Sequence, residues 1–540
     1  MDSLKIDSEL ILSVNLSEEE REKSQDLNVG YEKGNIWELI VRYNNVSKKE
    51  FEALNAKAQM LLGGYAIVRI PEQNIKQLAM LPGILYIEKP KKLKYELEYS
   101  KVASCITPGK NGPGAKGVIV GIIDTGIDYR NSEFIDDNGN SRIGVIFDEG
   151  SNRIYYREDI DNALIGGGIS EIDLTGHGTK VAGIAAGNSG IAYESEIAVV
   201  KLGEDDFFNT ARLMEGVNFL IEYAINRGMP IAINISIGNN YGAHDGTSLL
   251  ETYLDYVSNI WKTSIIVGSG NEANKRNHTT IDISTGVNKS EFIIGNFENS
   301  VSIQMWKKYW DEFEVILTDP SQRRFALIKQ PGNDFFENRD TLIYAYKGDA
   351  SPYSTDDEIL IELIGKDSYV TPGIWSFLFL PQKILSGIVD IYLTRNRQDA
   401  LDTGFVISNP DNTLTIPSTS YKVITVGAYN AAENAYADFS GRGYTKNLVS
   451  IKPDIVAPGV DILTPIPGGG YTLSTGTSFA APFVTGAAAL LMEWGIVEGN
   501  NIYMYGEKLK AELIKRSKKL NETASIPDER TGWGKLCLNN

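Results

Sequence analysis

The sequence predicts an α/β protein: a parallel sheet flanked by helices, preceded by a small α+β unit and interrupted by an all-β insertion. Three observations predict it. From Gly117 onward, nearly continuous apolar runs such as VIVGIID alternate with helical segments, as expected of strands buried on both faces of a parallel sheet. Before that, residues 35–89 carry a compact strand–helix–strand–helix–strand pattern. From about His278 to about Asp411 the alternation gives way to short strand-like pieces separated by turn signals, the pattern of a sandwich or jelly roll.

Taken in order, IWELIVRY alternates like a strand and KKEFEALNAKAQMLL has helical spacing. YAIVRI is a second strand, EQNIKQLAML a short helix and ILYIEK a closing strand. Gly63-Gly64, Pro71 and Pro82-Gly83 punctuate the unit, and its order suggests a ferredoxin-like sheet backed by two helices. KPKKLKYELEYSK is polar and reads as an extended linker. The segments GTKVAGIAAG, IAVVKL, TARLMEGVNFLIEYAINRG, IAINISIG, ETYLDYVSNIWKT and SIIVGSGN then follow a doubly wound pattern. After the insertion, YKVITVGAYN and the helix-like SFAAPFVTGAAALLMEW resume it. These readings divide the chain into 1–99, 100–278, an insertion at 279–411, and 412–540.

The 540 residues carry a formal net charge of −18. That argues against the basic footprint of a nucleic-acid binder, and an anionic membrane surface would repel it. The start, MDSLKIDSELILSVNLSEEE, lacks a basic stretch leading into an apolar core with a small-residue cleavage site. No segment reads as approaching the roughly 18–20 apolar residues of a spanning helix. The sequence therefore predicts neither export by the usual signal route nor a membrane anchor. Cys105 and Cys537 are the two cysteines. They read as reduced thiols in a protein made inside a cell.

The chain has three histidines, His177, His244 and His278. His177 sits in DLTGHGTKVAGIAAG, between glycines and ahead of small residues at helical spacing, so its helix can pack close to a sheet and hold the imidazole still. A structural or surface histidine is the alternative. Asp124 ends the run VIVGIID, at the C-terminal rim of a buried parallel strand, where open α/β sheets place their sites. A buried carboxylate needs a partner, and an imidazole N–H would serve; capping of the next turn is the alternative. Ser478 opens the small-residue helix of STGTSFAAPFVTGAAALL. There the helix dipole and its own N–H favour a developing oxyanion, although taken alone a plain helix cap by Thr477 or Ser478 is the better explanation. Asn271, in IIVGSGNEAN, follows another apolar strand; its amide fits a second oxyanion donor or an ordinary turn.

Together, DTGID, GHGTKVAGIAAG, SGNEAN, KPDIVAPG and GTSFAAPFVTGAAALL resemble the motif blocks of the subtilases, and TGWGKLCL resembles their C-terminal strand. The chain order Asp…His…Ser is that of subtilisin. The resemblance implies a subtilisin-like parallel sheet, a serine endopeptidase activity, Asp124, His177 and Ser478 as the triad, and Asn271 as oxyanion donor. It also implies a cleft edged by Ser236-Ile237-Gly238 and, opposite, by Leu202-Gly203, where an extended peptide adds as a strand. Acidic residues in Gly203–Asn209 suggest a basic or polar side chain near the scissile bond.

Subtilases often carry a ferredoxin-like propeptide, and residues 35–89 look like one. Its tail would be cut by Ser478 between about Glu96 and Val102, most simply near Tyr99 or Ser100. A subtilase with such a prodomain, no signal peptide and a β-rich insertion is similar to the Csp germination proteases of clostridial spores. That likeness implies a jelly-roll insertion, a prodomain that stays bound after cleavage, and a spore location. It implies as substrate the pro-form of a cortex-lytic hydrolase. A non-catalytic germinant sensor and a broad nutritional protease are the competing functions; the intact triad speaks against the first and the missing signal against the second. Subtilases often bind calcium, but the acidic pairs Asp136-Asp137 and Asp205-Asp206 read as solvated surface. No cofactor or catalytic metal is expected.

Overall fold

The computed structural model describes residues 5–538 other than 25–26, 33, 92–93, 96–112, 167, 170–172, 204–208, 328–330, 350–351, 353, 396–401, 445–450 and 521–524. Cys105, Tyr99, Ser100, Asp205 and Asp206 lie outside the described residues. The chain divides into two compact units. One comprises residues 1–92, 240–249 and 272–413, the other residues 93–239, 250–271 and 414–540.

In the first unit, an antiparallel sheet runs in the order Lys57–Leu61, Tyr65–Pro71, Ile36–Tyr43, Ile84–Glu88, the short Tyr31–Glu32 also pairing with Ile36–Tyr43. Helices Lys48–Glu52 and Ile75–Met80 supply the remaining elements of the ferredoxin-like pattern. One expectation is corrected here. KKEFEALNAKAQMLL is not one helix: the helix ends at Glu52, and Lys57–Leu61 is a strand. Asn55 takes φ 54°, which breaks the helix, and Gly63 and Gly64, both at φ 77°, turn the new strand into the next. A helix at Ser8–Asn15, for which the sequence reading made no provision, buries Leu10, Ile11 and Leu12.

The insertion is an antiparallel sandwich. One sheet runs His278–Asp282, Ile388–Arg395, Ser300–Lys308, Asp356–Gly365, Thr341–Lys347, Gly332–Glu337. The other runs Arg324–Ala326, Glu312–Thr318, Gly373–Lys383, Asn288–Ile294, Gly404–Phe405. Alternate residues of both sheets, among them Ile303, Ile361, Phe292, Trp375 and Phe377, fill the space between them.

The second unit is built on a mainly parallel sheet ordered Ile424–Asn430, Thr263–Gly268, Ile231–Ile235, Ile119–Asp124, Glu196–Lys201, Ile143–Asp148. Ile455–Pro458 joins Ile424–Asn430 in parallel, and antiparallel pieces close the two edges. Asp124 therefore ends a central strand, flanked on both sides by parallel neighbours. Helices His177–Ala186 and Thr477–Met492 pack on this sheet and on each other. The reading that no apolar segment approaches spanning length is also corrected. Thr477–Val497 is a 21-residue helix apolar and long enough to cross a membrane, but 83% of that stretch is buried inside the protein, which makes it a core helix.

Candidate active site

Asp124 and His177 come together because a strand end and a helix start are forced to touch. Gly178, just inside the helix, abuts the Gly126 carbonyl oxygen so closely that a side chain there would collide with it. The helix start thereby drops onto the rim of the central strand, and His177 Nδ1 lies 2.7 Å from Asp124 Oδ1, both residues fully buried. The Thr125 backbone N–H donates to the same Asp124 oxygen at 2.8 Å.

A second carboxylate, Asp173, fixes this corner. It accepts from the Thr125 hydroxyl at 2.6 Å, from the Gly176 N–H at 2.8 Å, and from both the N–H and hydroxyl of Thr179 at 2.8 and 2.5 Å. The Thr125 hydroxyl in turn accepts from the Gly178 N–H at 2.8 Å. Asp173 thus satisfies helix N-terminal donors that have no partner within the helix. Burial alone would push the His177 imidazole toward its neutral form; the Asp124 charge and hydrogen bond, with the more distant Asp173 charge, outweigh it and hold the pKa above the ordinary histidine value.

Ser478 is the second residue of helix Thr477–Met492 and is 1% exposed. The ring of the adjacent Phe479 lies 5.4 Å from the His177 imidazole, centroid to centroid. The Ser478 hydroxyl donates to the Ser236 carbonyl at 3.1 Å, while the Ser236 hydroxyl donates back to the Ser478 carbonyl at 2.9 Å. The return bond exists because of Pro482. In an unbroken helix the Ser478 carbonyl would accept from the N–H four residues on, and proline has none. Ser236 takes that place, and is itself held by Asn234 Nδ2 at 2.8 Å; Asn234 Oδ1 accepts from the Thr485 hydroxyl at 3.0 Å.

Asn271 Oδ1 accepts from the Thr477 N–H at 2.9 Å and from its hydroxyl at 3.2 Å. Committing the oxygen end of the amide to Thr477 fixes which end is presented as donor. The other two histidines lie in the other unit, stacked on Tyr392 at 3.9 Å for His244 and 4.5 Å for His278.

IAINISIG is two strands, broken at Ser236, and Ile237–Gly238 leaves the main sheet. Its partner is the segment read as a linker: Lys94–Tyr95 pairs antiparallel with it, Tyr95 opposite Ile237 and Lys94 opposite Gly238. Leu202, followed by Gly203, donates its N–H to the Asp124 carbonyl at 3.0 Å. Among the described residues no three His, Cys, Asp or Glu side chains are grouped to hold a metal. Asp136 accepts from the N–H groups of Asn138 and Asn140, both at 2.9 Å, to close its own turn.

Sequence reasoning missed Asp173, Asn234 and Thr485. Asp173 left a readable signal, a carboxylate in the turn just ahead of a helix N-terminus. Asn234 and Thr485 left none, because their pairing depends on which strand the serine helix covers.

The chain is similar to known proteins over most of its length. Residues 4–91 match the family described as Csp protease B prodomain, and residues 115–362 with 391–534 match the family described as subtilase. The structure of the Clostridium perfringens CspB protease is 33% identical, with a TM-score of 0.75, covering 79% of this chain and 92% of that one. The minor extracellular protease Vpr of Bacillus subtilis is 24% identical over 79% of this chain, which spans 52% of that relative's own length. The epidermin leader peptide processing serine protease of Staphylococcus aureus shares the fold, at a TM-score of 0.50 and 16% identity, over 93% of this chain and 97% of that one.

Proposed function

The chain belongs to the subtilase family, and from that premise we propose that it is a serine endopeptidase that cuts its own chain after the N-terminal domain and then matures a protein zymogen. Ser478 Oγ attacks the peptide carbonyl. His177 accepts the proton and returns it to the leaving amine, and Asp124 holds the imidazole tautomer and balances its charge. Asn271 Nδ2 and the Ser478 N–H donate to the oxyanion, a pair in which one donor contributes about 3 kcal/mol or more. The observation that carries this reading is the 2.7 Å Asp124–His177 bond beside the helix that begins at Thr477-Ser478. For the attack the Ser478 hydroxyl must leave the Ser236 carbonyl, to which it donates at 3.1 Å, and donate to His177 instead.

The first substrate is the chain itself. The Lys94–Tyr95 strand runs antiparallel along Ile237–Gly238 toward Ser236, whose carbonyl holds the Ser478 hydroxyl. The cut falls in the tail that follows, between about Glu96 and Val102, the window expected from sequence. Expressed side by side, wild type should yield two fragments, the second starting within about residues 97–102 by N-terminal sequencing, and Ser478→Ala one full-length chain. Equal cleavage in both would end the reading.

The Csp-type prodomain and the likeness to the CspB protease support a narrower role: limited proteolysis of a cortex-lytic pro-enzyme in a germinating spore. Purified enzyme should clip such a pro-enzyme at one bond, far faster than it digests unfolded casein. Comparable rates on both would favour a general digestive role instead.

A further inference from the structure

The N-terminal domain and the inserted sandwich lie in one compact unit and share an apolar core, in which Leu10, Leu12 and Trp37 of the first meet Tyr344, Leu360 and Ile364 of the second. At one end of this seam the chemistry changes. A cavity of about 70 Å³ is lined by Asp7, Glu88 and Lys91 of the N-terminal domain, Asp356 and Glu358 of the sandwich, and Thr247 of the segment 240–249. Glu9 and Lys89, both buried, stand beside it 3.5 Å apart.

The charges there do not balance. Among the described residues, Asp7, Glu9, Glu88 and Glu358 are buried carboxyls, and Lys89 and Lys91 are the cations facing them. Asp356 is already paired with Lys308 at 2.5 Å. Asp349 lines the cavity and Tyr346 faces Glu358 and Asp7, so neither adds a cation. Three of these carboxyls have a built environment: Glu88 accepts from the Leu249 N–H at 3.0 Å, Glu358 from Gln304 Nε2 at 2.5 Å, and Asp7 from the Lys89 N–H at 3.2 Å. Burial is the main force on all three. It raises Glu88 to about 7 and Glu358 to about 8 against the pull of Lys91, with Asp7 and Glu9 adding repulsion, and it raises Asp7 as well.

We propose that this cavity is a proton-controlled latch, which holds the N-terminal domain on the sandwich while its surplus carboxyls are protonated and loosens that hold when they ionise. Because closing the seam raises Asp7, Glu88 and Glu358 above their free values, closure takes up protons. The hold is full below the ordinary carboxylate range and is lost as pH rises through about 7 to 8. Coupled to the self-cleavage proposed above, on which this consequence rests, the latch would decide whether the cut domain stays or leaves.

Two experiments separate the two ideas. In the uncut Ser478→Ala chain, amide exchange in strands Ile84–Glu88 and Asp356–Gly365 is followed from about pH 6 to about pH 9 and divided by the intrinsic rate. Protection should fall about tenfold or more. In Ser478→Ala carrying Glu88→Gln and Glu358→Gln, which keep the hydrogen bonds without the charge, it should stay nearly flat. No pH response in the first chain overturns the latch, whatever the second does, and so does an undiminished response in a folded second chain. In processed wild type, gel filtration should keep the fragments together near pH 6 and part them near pH 9; fragments that behave alike at both overturn it too. A wild type that remains uncut sinks the self-cleavage, while the exchange measurement still decides the latch.

Discussion

At the residue scale the site is a set of buried bonds, each of which needs both of its ends. Removing the Asp124 charge by Asp124→Asn should lower kcat by about four orders of magnitude, because the imidazole loses both its tautomer lock and its counter-charge. The residual activity carries a second signature. Asp124 is the strongest influence holding His177 above its ordinary value, and a base works only when neutral. The acid limb of the pH–rate profile should therefore move to lower pH in the variant; an unmoved limb would mean that another group titrates. Ser236→Ala is a quieter test. It removes the donor to the Ser478 carbonyl and the acceptor for Asn234 Nδ2, leaving two buried groups unmade at about 1–3 kcal/mol each. Urea denaturation should show that loss, and unchanged stability would mean that Pro482 leaves no vacancy worth filling. The positions of Asp124 and His177 were legible because one ends a strand and the other opens a helix; Ser478 stands second in its helix and Asn271 just beyond a strand. Asn234 was not legible, since nothing in a strand's own sequence says which helix covers it.

At the element scale, close approach decides the architecture. Helix His177–Ala186 sits where it does because Gly178 has no side chain: an added Cβ would meet the Gly126 carbonyl oxygen and come within 3.1 Å of Asp124 Cβ. Gly178→Ala should cost about 1–3 kcal/mol and, by lifting His177 from Asp124, lower kcat more than it raises KM. A thermal melt and steady-state kinetics check both; a variant with full stability would show that the helix has room to shift. The small-residue run after His177 was readable as a close-packing helix for this reason. The misread element fails for the complementary one. Lys57–Leu61 carries residues that suit a helix, and what makes it a strand is the Asn55 turn before it and the paired glycines after it, local chain reversals that outweigh propensity.

At the scale of the whole molecule, the sequence told which residues are buried but not against what. The insertion shows why. In strand Thr341–Lys347, Ile343 and Ala345 face the sandwich interior while Tyr344 and Tyr346 join the core of the N-terminal domain. In Asp356–Gly365, Ile359, Ile361 and Leu363 face inward and Leu360 and Ile364 outward into that same second core. A strand covered on both faces reads as an unbroken apolar run, and EILIELIG is nearly that. The run signals a second partner without naming it, because the partner lies some 300 residues away in the chain, roughly ten times the length of a typical supersecondary unit. Two substitutions on adjacent residues separate the two cores. Both Leu360→Ala and Ile361→Ala empty a fully buried site and should each cost about 2–5 kcal/mol. Their effects should differ in place. Leu360→Ala should speed amide exchange in helix Ser8–Asn15, which packs on that face, while leaving the sheet-to-sheet interior protected. Ile361→Ala should expose both sheets of the sandwich and the helix with them, since the N-terminal domain loses its platform. Helix exchange unaffected by Leu360→Ala would mean that the shared core contributes nothing to holding the N-terminal domain in place.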